Sequence, residues 1–79
     1  MTQIPYAYSN GRLTVEVELQ NAADVFLVDS NNFRRYKSGN RFEYFGGHYA
    51  RTPVQITVNG TGYWYLIVEG SRHYRYKFY

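Results

Sequence analysis

Apolar and polar residues alternate one by one along three segments of this chain. In the clearest, residues 12–20, Leu or Val stands at every second position, between Thr, Glu or Gln. Side chains of a β-strand point alternately to opposite faces, so this period of two predicts a strand with one buried and one wet face. The period recurs in residues 52–58 and 72–79. The predicted inward positions are Leu13, Val15, Val17, Leu19, Val54, Ile56, Val58, Tyr74, Tyr76 and Phe78.

Other segments predict further strands and the turns between them. Residues 24–28 and 63–68 are apolar at almost every position, which is typical of strands covered on both faces. Residues 41–45 are expected to form a short strand that Gly46-Gly47 interrupts, because two glycines favour a bulge or tight turn. Asn59-Gly60 is the strongest β-hairpin signal in the chain and predicts a turn between two strands.

A short helical element is predicted in residues 29–39. The segment is rich in Ser, Asn and Asp, whose side chains favour helix N-caps and turns. Ser30 or Asn31 is the expected cap, and Gly39 is expected to end the element in a left-handed conformation. With an edge strand at residues 4–8, these elements predict an all-β domain. The expected fold is an antiparallel sandwich or partly closed barrel of six or seven short strands and one helical turn.

Length and composition bound the class of protein. A chain of 79 residues predicts one domain, residues 1–79. So short a chain buries only about 60–65% of its unfolded surface, so its ten Tyr, five Phe and one Trp must supply much of the packing. The absence of cysteine favours a reducing compartment, and we expect a cytoplasmic protein. No apolar run is long enough to span a bilayer as a helix.

The charge of the chain is unevenly distributed. Residues 1–29 carry a net charge of −3 and residues 30–79 a net charge of +6, which together make the overall +3. The Lys and Arg residues cluster in residues 34–41 and 72–77. This distribution predicts a basic side that attracts an anionic partner.

Several short motifs follow one another in a recognisable order. In chain order they are Asn21-Ala22-Ala23, Asp29-Ser30-Asn31-Asn32-Phe33, Tyr36-Lys37-Ser38-Gly39, Tyr44-Phe45-Gly46-Gly47, Thr52-Pro53-Val54 and Gly62-Tyr63-Trp64. The order spans residues 12–69 and resembles the small bacterial family called domain of unknown function 1883. The resemblance implies an all-β sandwich or barrel without an assigned activity. Some members of that family are joined to TIR-like signalling domains, which implies a role as a sensing or scaffold accessory.

Two groups of residues carry atoms that bind ions. Residues 29–32 form an oxygen-rich loop, but calcium takes six to eight oxygen ligands and this loop holds a single carboxylate, so a turn-holding role is predicted. His48 and His73 are the only histidines and no cysteine accompanies them, whereas structural zinc normally takes four protein ligands. We therefore predict no metal and no cofactor. The chain also lacks the familiar nucleophile and metalloprotease motifs, so we do not expect an enzyme.

The expected working surface is a set of basic and aromatic residues in connecting segments, since scaffolds present functional residues on loops. The predicted binding residues are Arg34, Arg35, Tyr36, Lys37, Arg41, His48, Tyr49 and Arg51. They predict a binding module for an anionic or polar partner, which Arg recognises and Tyr contacts over a large area. A protein or glycan is favoured over nucleic acid, because rings and cations of residues 72–79 point to opposite faces of their strand. The alternative is a self-assembling protein, a homo-oligomer that pairs through this edge strand.

Overall fold

The computed structural model describes residues 4–79, which form five strands and one helix. The elements are β1 (Tyr6–Leu19), β2 (Ala23–Asp29), α1 (Ser30–Lys37), β3 (Phe45–Tyr49), β4 (Val54–Glu69) and β5 (Tyr74–Phe78). All strands belong to one antiparallel sheet in the order β3-β2-β4-β1-β5. The all-β prediction is confirmed, although the sheet has five strands rather than six or seven.

The difference in strand number comes from β1 and β4, each of which joins two predicted strands. The hairpin predicted at Asn59-Gly60 is wrong, because both residues lie inside β4. Gly60 is paired with Gly11, and β1 accompanies β4 from Val54 to Tyr65. A hairpin at Asn59-Gly60 would pair the two halves of β4 with each other. Because both halves pair with β1 instead, the chain does not turn back at Asn59-Gly60.

A seam of small residues crosses the inner face where β1 and β4 bend. Ser9 is opposite Gly62 and Gly11 is opposite Gly60. Because Gly11, Gly60 and Gly62 have no Cβ atom and Ser9 is small, the two long strands can coil tightly around the core. The curvature brings the edge strand β3 over the first half of β4: a Cβ placed on Gly46 would lie 3.3 Å from Cδ1 of Ile56. The sheet is thus folded over itself, as a partly closed barrel requires.

The hydrophobic core fills the concave inner face. Its buried members are Leu13, Val15, Val17, Val25, Leu27, Val54, Ile56, Val58, Trp64 and Leu66. The inward positions predicted on the first two alternating segments are therefore confirmed, apart from Leu19, which is half-buried at the margin. On β5, Tyr74 and Phe78 pack against the core, but Tyr76 is 48% exposed. Tyr76 lies on an edge strand, where no neighbour covers its outer side.

Helix α1 covers the outer face of the sheet over β2 and the second half of β4. Asp29, and not Ser30 or Asn31, caps α1: its Oδ1 accepts a hydrogen bond from the backbone N–H of Asn32 at 2.9 Å. Gly39, with φ of +79°, follows the helix end as predicted. The helix lies above Val28 and Ile67, which are 1% and 3% exposed on the outer face. A second, smaller apolar layer therefore forms outside the sheet.

The strand predicted at residues 41–45 is also displaced. Gly46 and Gly47 do not interrupt a strand but lie within β3, which begins at Phe45. A Cβ at Gly46 would collide with the carbonyl oxygen of Val25, so glycine lets β3 approach β2 closely. The preceding segment instead brings Phe42 and Tyr44 onto Phe26, at ring-centroid distances of 5.9 and 4.4 Å.

Candidate functional site

Three of the predicted binding residues lie on the exposed side of α1. Arg34, Arg35 and Lys37 occupy its final turns, where positive charge is favourable next to the helix C-terminus. None of the three side chains takes part in a salt bridge within residues 4–79. The helix therefore presents three positive charges to solvent.

These charges are divided between different sides of the helix, because each residue turns an α-helix by about 100°. Lys37 lies on the same side as Phe33, and its Nζ is 5.5 Å from the centre of that ring. Arg34, three residues before Lys37, shares this side. On the opposite side, Asn32 accepts a hydrogen bond from the backbone N–H of Glu43. Arg34 and Arg35 both project away from the sheet, Arg34 on the side of Lys37 and Arg35 on the side of Asn32.

Tyr36 ties the end of the helix to the sheet. Its hydroxyl donates a 2.6 Å hydrogen bond to Oε2 of Glu69 at the end of β4. This bond, partial burial and the negative charge of Glu69 raise the pKa of Tyr36 to about 12. Its ring also contacts Phe42, at a centroid distance of 5.3 Å. Tyr36 thus positions α1 and leaves little of its own surface for a partner.

The remaining predicted residues are only partly brought together. His48 lies on the outer face, with Nδ1 2.9 Å from Oδ1 of Asp24. Asp24 is paired with both His48 and Glu69, which places His48 about 10 Å from Glu69, the residue that binds Tyr36 of α1. Arg41 and Arg51 are exposed in the connections on either side of β3. Tyr49 faces the other way and packs against the core.

A row of exposed and half-buried aromatic rings, which we call the aromatic strip, lies next to α1 on the outer face. It consists of Phe33, Tyr65, Tyr6, Tyr63 and Tyr8. Phe33 stacks on Tyr65 at 4.1 Å with an interplanar angle of 4°, and the other rings follow at 5.1–6.0 Å. Tyr6, Tyr8 and Tyr63 remain 57%, 55% and 48% exposed. Contiguous exposed apolar patches are a common feature of interaction surfaces in proteins.

Sequence reasoning missed the aromatic strip because its members come from both ends of the chain. The available signal was the spacing of Tyr6 with Tyr8 and of Tyr63 with Tyr65, which places each pair on one face of a strand. Only the register of β1 on β4 brings the pairs together, since Tyr6 is opposite Tyr65 and Tyr8 opposite Tyr63. The hairpin predicted at Asn59-Gly60 would have paired Tyr63 with a different strand.

Positive charge borders the aromatic strip at both ends. Arg34 and Lys37 stand at the α1 end. At the other end the outer face continues through the pair Asn10–Thr61 to Arg12, which is opposite Asn59. No outer-face position of β1 from Tyr6 to Arg12, nor of β4 from residue 59 to 65, is acidic. The strip is therefore both aromatic and electropositive.

Other parts of the described chain are less suited to a ligand. A shallow cleft of about 610 Å³ lies between the ends of β1 and β5, and Glu18 and Arg75 on its rim are paired at 3.2 Å. Within residues 4–79, no three His, Asp or Glu side chains converge as metal ligands. Asp29, the carboxylate of the oxygen-rich loop, instead serves as the helix cap. No helix among these residues is long and apolar enough to cross a membrane.

Comparison with known proteins places the chain in a family. No curated protein and no solved structure matches it. The family model described as Domain of unknown function (DUF1883) matches residues 7–77 and so takes in all five strands except Tyr6 and Phe78. Since this match covers nearly the whole chain, the protein belongs to the DUF1883 family.

Proposed function

We propose that this protein is a non-enzymatic binding module that recognises an anionic partner. The binding surface consists of Arg34 and Lys37 on α1 together with the aromatic strip. The observation that carries the proposal is the continuity between charge and rings: Lys37 lies over Phe33, and Phe33 stacks on Tyr65. A partner that meets the cations is thereby brought against the rings. The accessory role beside a TIR-like effector, implied by the family resemblance, is one form of this proposal.

The surface is held rigidly, which favours binding. Asp29 caps the start of α1 and the Tyr36–Glu69 hydrogen bond holds its end, so the cations do not move with a flexible loop. Tyrosine offers a large contact area with only two side-chain torsions to restrain. A rigid aromatic surface therefore loses little conformational entropy when a partner binds.

Arg35, Arg41, His48 and Arg51 extend the positive charge beyond this surface. Arg41 precedes Phe42, which contacts Tyr36 on the side of α1 opposite the strip. These residues strengthen long-range attraction of an anion, while Arg34 and Lys37 make the direct contacts.

Two double variants test the proposal at equal net charge. Arg34→Ala with Lys37→Ala removes two cations beside the aromatic strip, and Arg35→Ala with Arg41→Ala removes two that lie away from it. We expect the first variant to elute from a heparin column at clearly lower salt than the second, with equal melting temperatures. Equal elution of the two variants would show that net charge alone governs retention. Failure of the wild type to bind heparin even at low salt would remove the proposal.

A second candidate function is self-association through an open sheet edge. On the side away from β4, β1 pairs with β5 from Val15 onward, and Thr14 exchanges backbone hydrogen bonds with Tyr79. The rest of this side of β1 has no partner strand within residues 4–79. The free edge from Tyr6 to Leu13 resembles a template for a strand of a second copy. Sedimentation equilibrium at about 100 µM tests it, because an edge pairing of this length should give measurable dimer at that concentration. A strict monomer rejects this candidate.

A further inference from the structure

We infer that the anionic partner is a single-stranded nucleic acid whose bases stack on the aromatic strip. This inference rests on the proposed function and names the chemical class of its partner. Proteins that bind single strands combine cations for phosphate with exposed rings on which bases stack, without requiring a fixed sequence. The aromatic strip and its bordering cations have both features on one face.

The orientations of the rings favour a ligand whose flat groups can turn independently. Tyr6 meets Tyr63 at 61° and Tyr8 meets Tyr63 at 74°, so neighbouring rings present faces in different directions. The edge-to-face contacts also hold each ring in place before a ligand arrives. The bases of an unpaired strand can each adopt the tilt of one ring. A rigid flat ligand would contact only one ring at a time.

The dimensions of the aromatic strip favour one extended chain. It is two strands wide, and together with the pairs Asn10–Thr61 and Arg12–Asn59 that continue it, the outer face from Tyr65 to Asn59 extends about 20 Å at about 3.3 Å per residue. A stable protein–protein interface usually buries about 800 Å² on each partner, which calls for a broader surface. A segment of a few nucleotides fits a narrow strip, as in the smallest single-strand sites of about four nucleotides.

The charges point to a polyanion that runs along the whole strip. Arg34 and Lys37 lie at one end and Arg12 at the other, with neutral Asn and Thr side chains between the tyrosines and Arg12. A compact anion would meet only one end. A phosphate backbone carries a charge at every nucleotide and reaches both.

The terminal strand does not offer this combination, which explains why the sequence alone favoured a protein or glycan. On β5, Arg75 and Lys77 are paired with Glu18 and Glu16 on the outer face, whereas Tyr76 is paired with Val17 on the inner face. The rings within β5 are thus separated from these cations by the sheet, and the one ring beneath Lys77, that of Tyr79 at 5.2 Å, belongs to a side chain whose hydroxyl donates a hydrogen bond to Glu16. In the aromatic strip, Tyr8 and Arg12 lie on the same outer face of β1.

Fluorescence anisotropy with labelled oligo-dT and oligo-U of about 12 nucleotides tests the inference. The strip variant combines Tyr8→Thr and Tyr63→Thr, which remove exposed rings and keep strand-forming residues. The control combines Tyr44→Thr and Tyr76→Thr, which remove two tyrosines of 48% exposure each outside the strip. We expect the strip variant to bind at least about tenfold more weakly than the wild type and the control to remain within about twofold.

Three comparison ligands separate this inference from the proposed function. An abasic oligonucleotide of the same length keeps the phosphates and lacks the bases, and a duplex keeps the bases out of reach. We expect both to bind the wild type more weakly than oligo-dT. If either binds as tightly, base stacking is refuted while recognition of a polyanion stands.

The third ligand is a glutamate-rich peptide, which tests for a protein partner. Tighter binding of this peptide than of either oligonucleotide would overturn the inference and assign the surface to a protein. Retention on heparin without oligonucleotide binding would also overturn it and leave the proposed function intact. Loss of all binding, heparin included, would remove both.

Discussion

The replacement of Gly46 by alanine gives the sharpest test of how the sheet is packed. Gly46 has φ of +135°, which L-residues rarely adopt, and holding alanine there costs about 1–3 kcal/mol. The added Cβ would also overlap the carbonyl oxygen of Val25, so β3 must shift away from β2. Loss of one or two hydrogen bonds between these strands adds about 1–2 kcal/mol. We expect a total destabilisation of about 2–5 kcal/mol.

This loss is large for so small a domain. A chain of 79 residues has a free energy of unfolding of about 4–12 kcal/mol, and 1 kcal/mol corresponds to about 4–8 °C in melting temperature. Thermal unfolding followed by far-UV circular dichroism should therefore show a decrease of at least about 8 °C in the melting temperature for Gly46→Ala.

The adjacent Gly47 provides a matched control. A Cβ there meets nothing within 4 Å and the φ angle is not positive, so Gly47→Ala should leave stability unchanged or raise it slightly. Equal melting temperatures for the two variants would refute the close approach of β3 to β2. So would a Gly46→Ala variant as stable as the wild type.

Four further changes have expected outcomes. Asp29→Ala removes the cap of α1 and should lower stability by about 1 kcal/mol in urea unfolding, with Asp29→Asn recovering most of the loss. Leu66→Ala opens a cavity at a fully buried position and should cost about 2–5 kcal/mol in the same assay. Tyr36 has its pKa raised from 10.0 to about 12, so it stabilises the fold below pH 10 and this contribution is lost between pH 10 and 12. The stability difference between wild type and Tyr36→Phe should thus shrink over that range, by about 1 kcal/mol at most because solvent screens the site; a constant difference would contradict the assignment. Glu18→Gln breaks an exposed 3.2 Å ion pair with Arg75 and should change stability by less than about 0.5 kcal/mol, and a larger change would show that this pair organises the edge.

The core could be predicted from the sequence because alternation acts over short distances. Leu13, Val15 and Val17 have one face toward the interior whichever strand becomes their neighbour. The same holds for Val54, Ile56 and Val58, and all six are buried. Burial of one face depends on the period of the strand and not on the sheet order.

The turns were harder to predict, because glycine has two structural uses. Asn59-Gly60 and Gly46-Gly47 have the composition of turns, yet in this fold the missing Cβ atoms permit curvature and close strand approach. Which use applies depends on the partner strand, and this is a property of the complete sheet. The predicted helical turn was correct because its polar start and its Gly39 terminator are local signals, although the cap is Asp29 and not the expected Ser30 or Asn31.

The candidate site was only partly predictable for the same reason. The exposure of Arg34, Arg35 and Lys37 follows from helical composition alone. The division of these cations between two sides of α1, and the joining of Tyr6 with Tyr65, depend on long-range register. Tyr49 was assigned to the surface, but its position on β3 turns it toward the core.

The long pairing of β1 with β4 has a consequence for the time course of folding. Val17 and Val54 are 37 positions apart and Tyr6 and Tyr65 are 59 apart, so this ladder requires closure of a long loop. Sheets dominated by such distant pairings fold in milliseconds to seconds. During synthesis at about 5–20 residues per second, β1 waits roughly 3–10 s for the end of β4 to be made. Glu16 and Glu18 alternate with the apolar residues of β1. Because they are charged, they act as gatekeepers that discourage the still unpaired strand from aggregating.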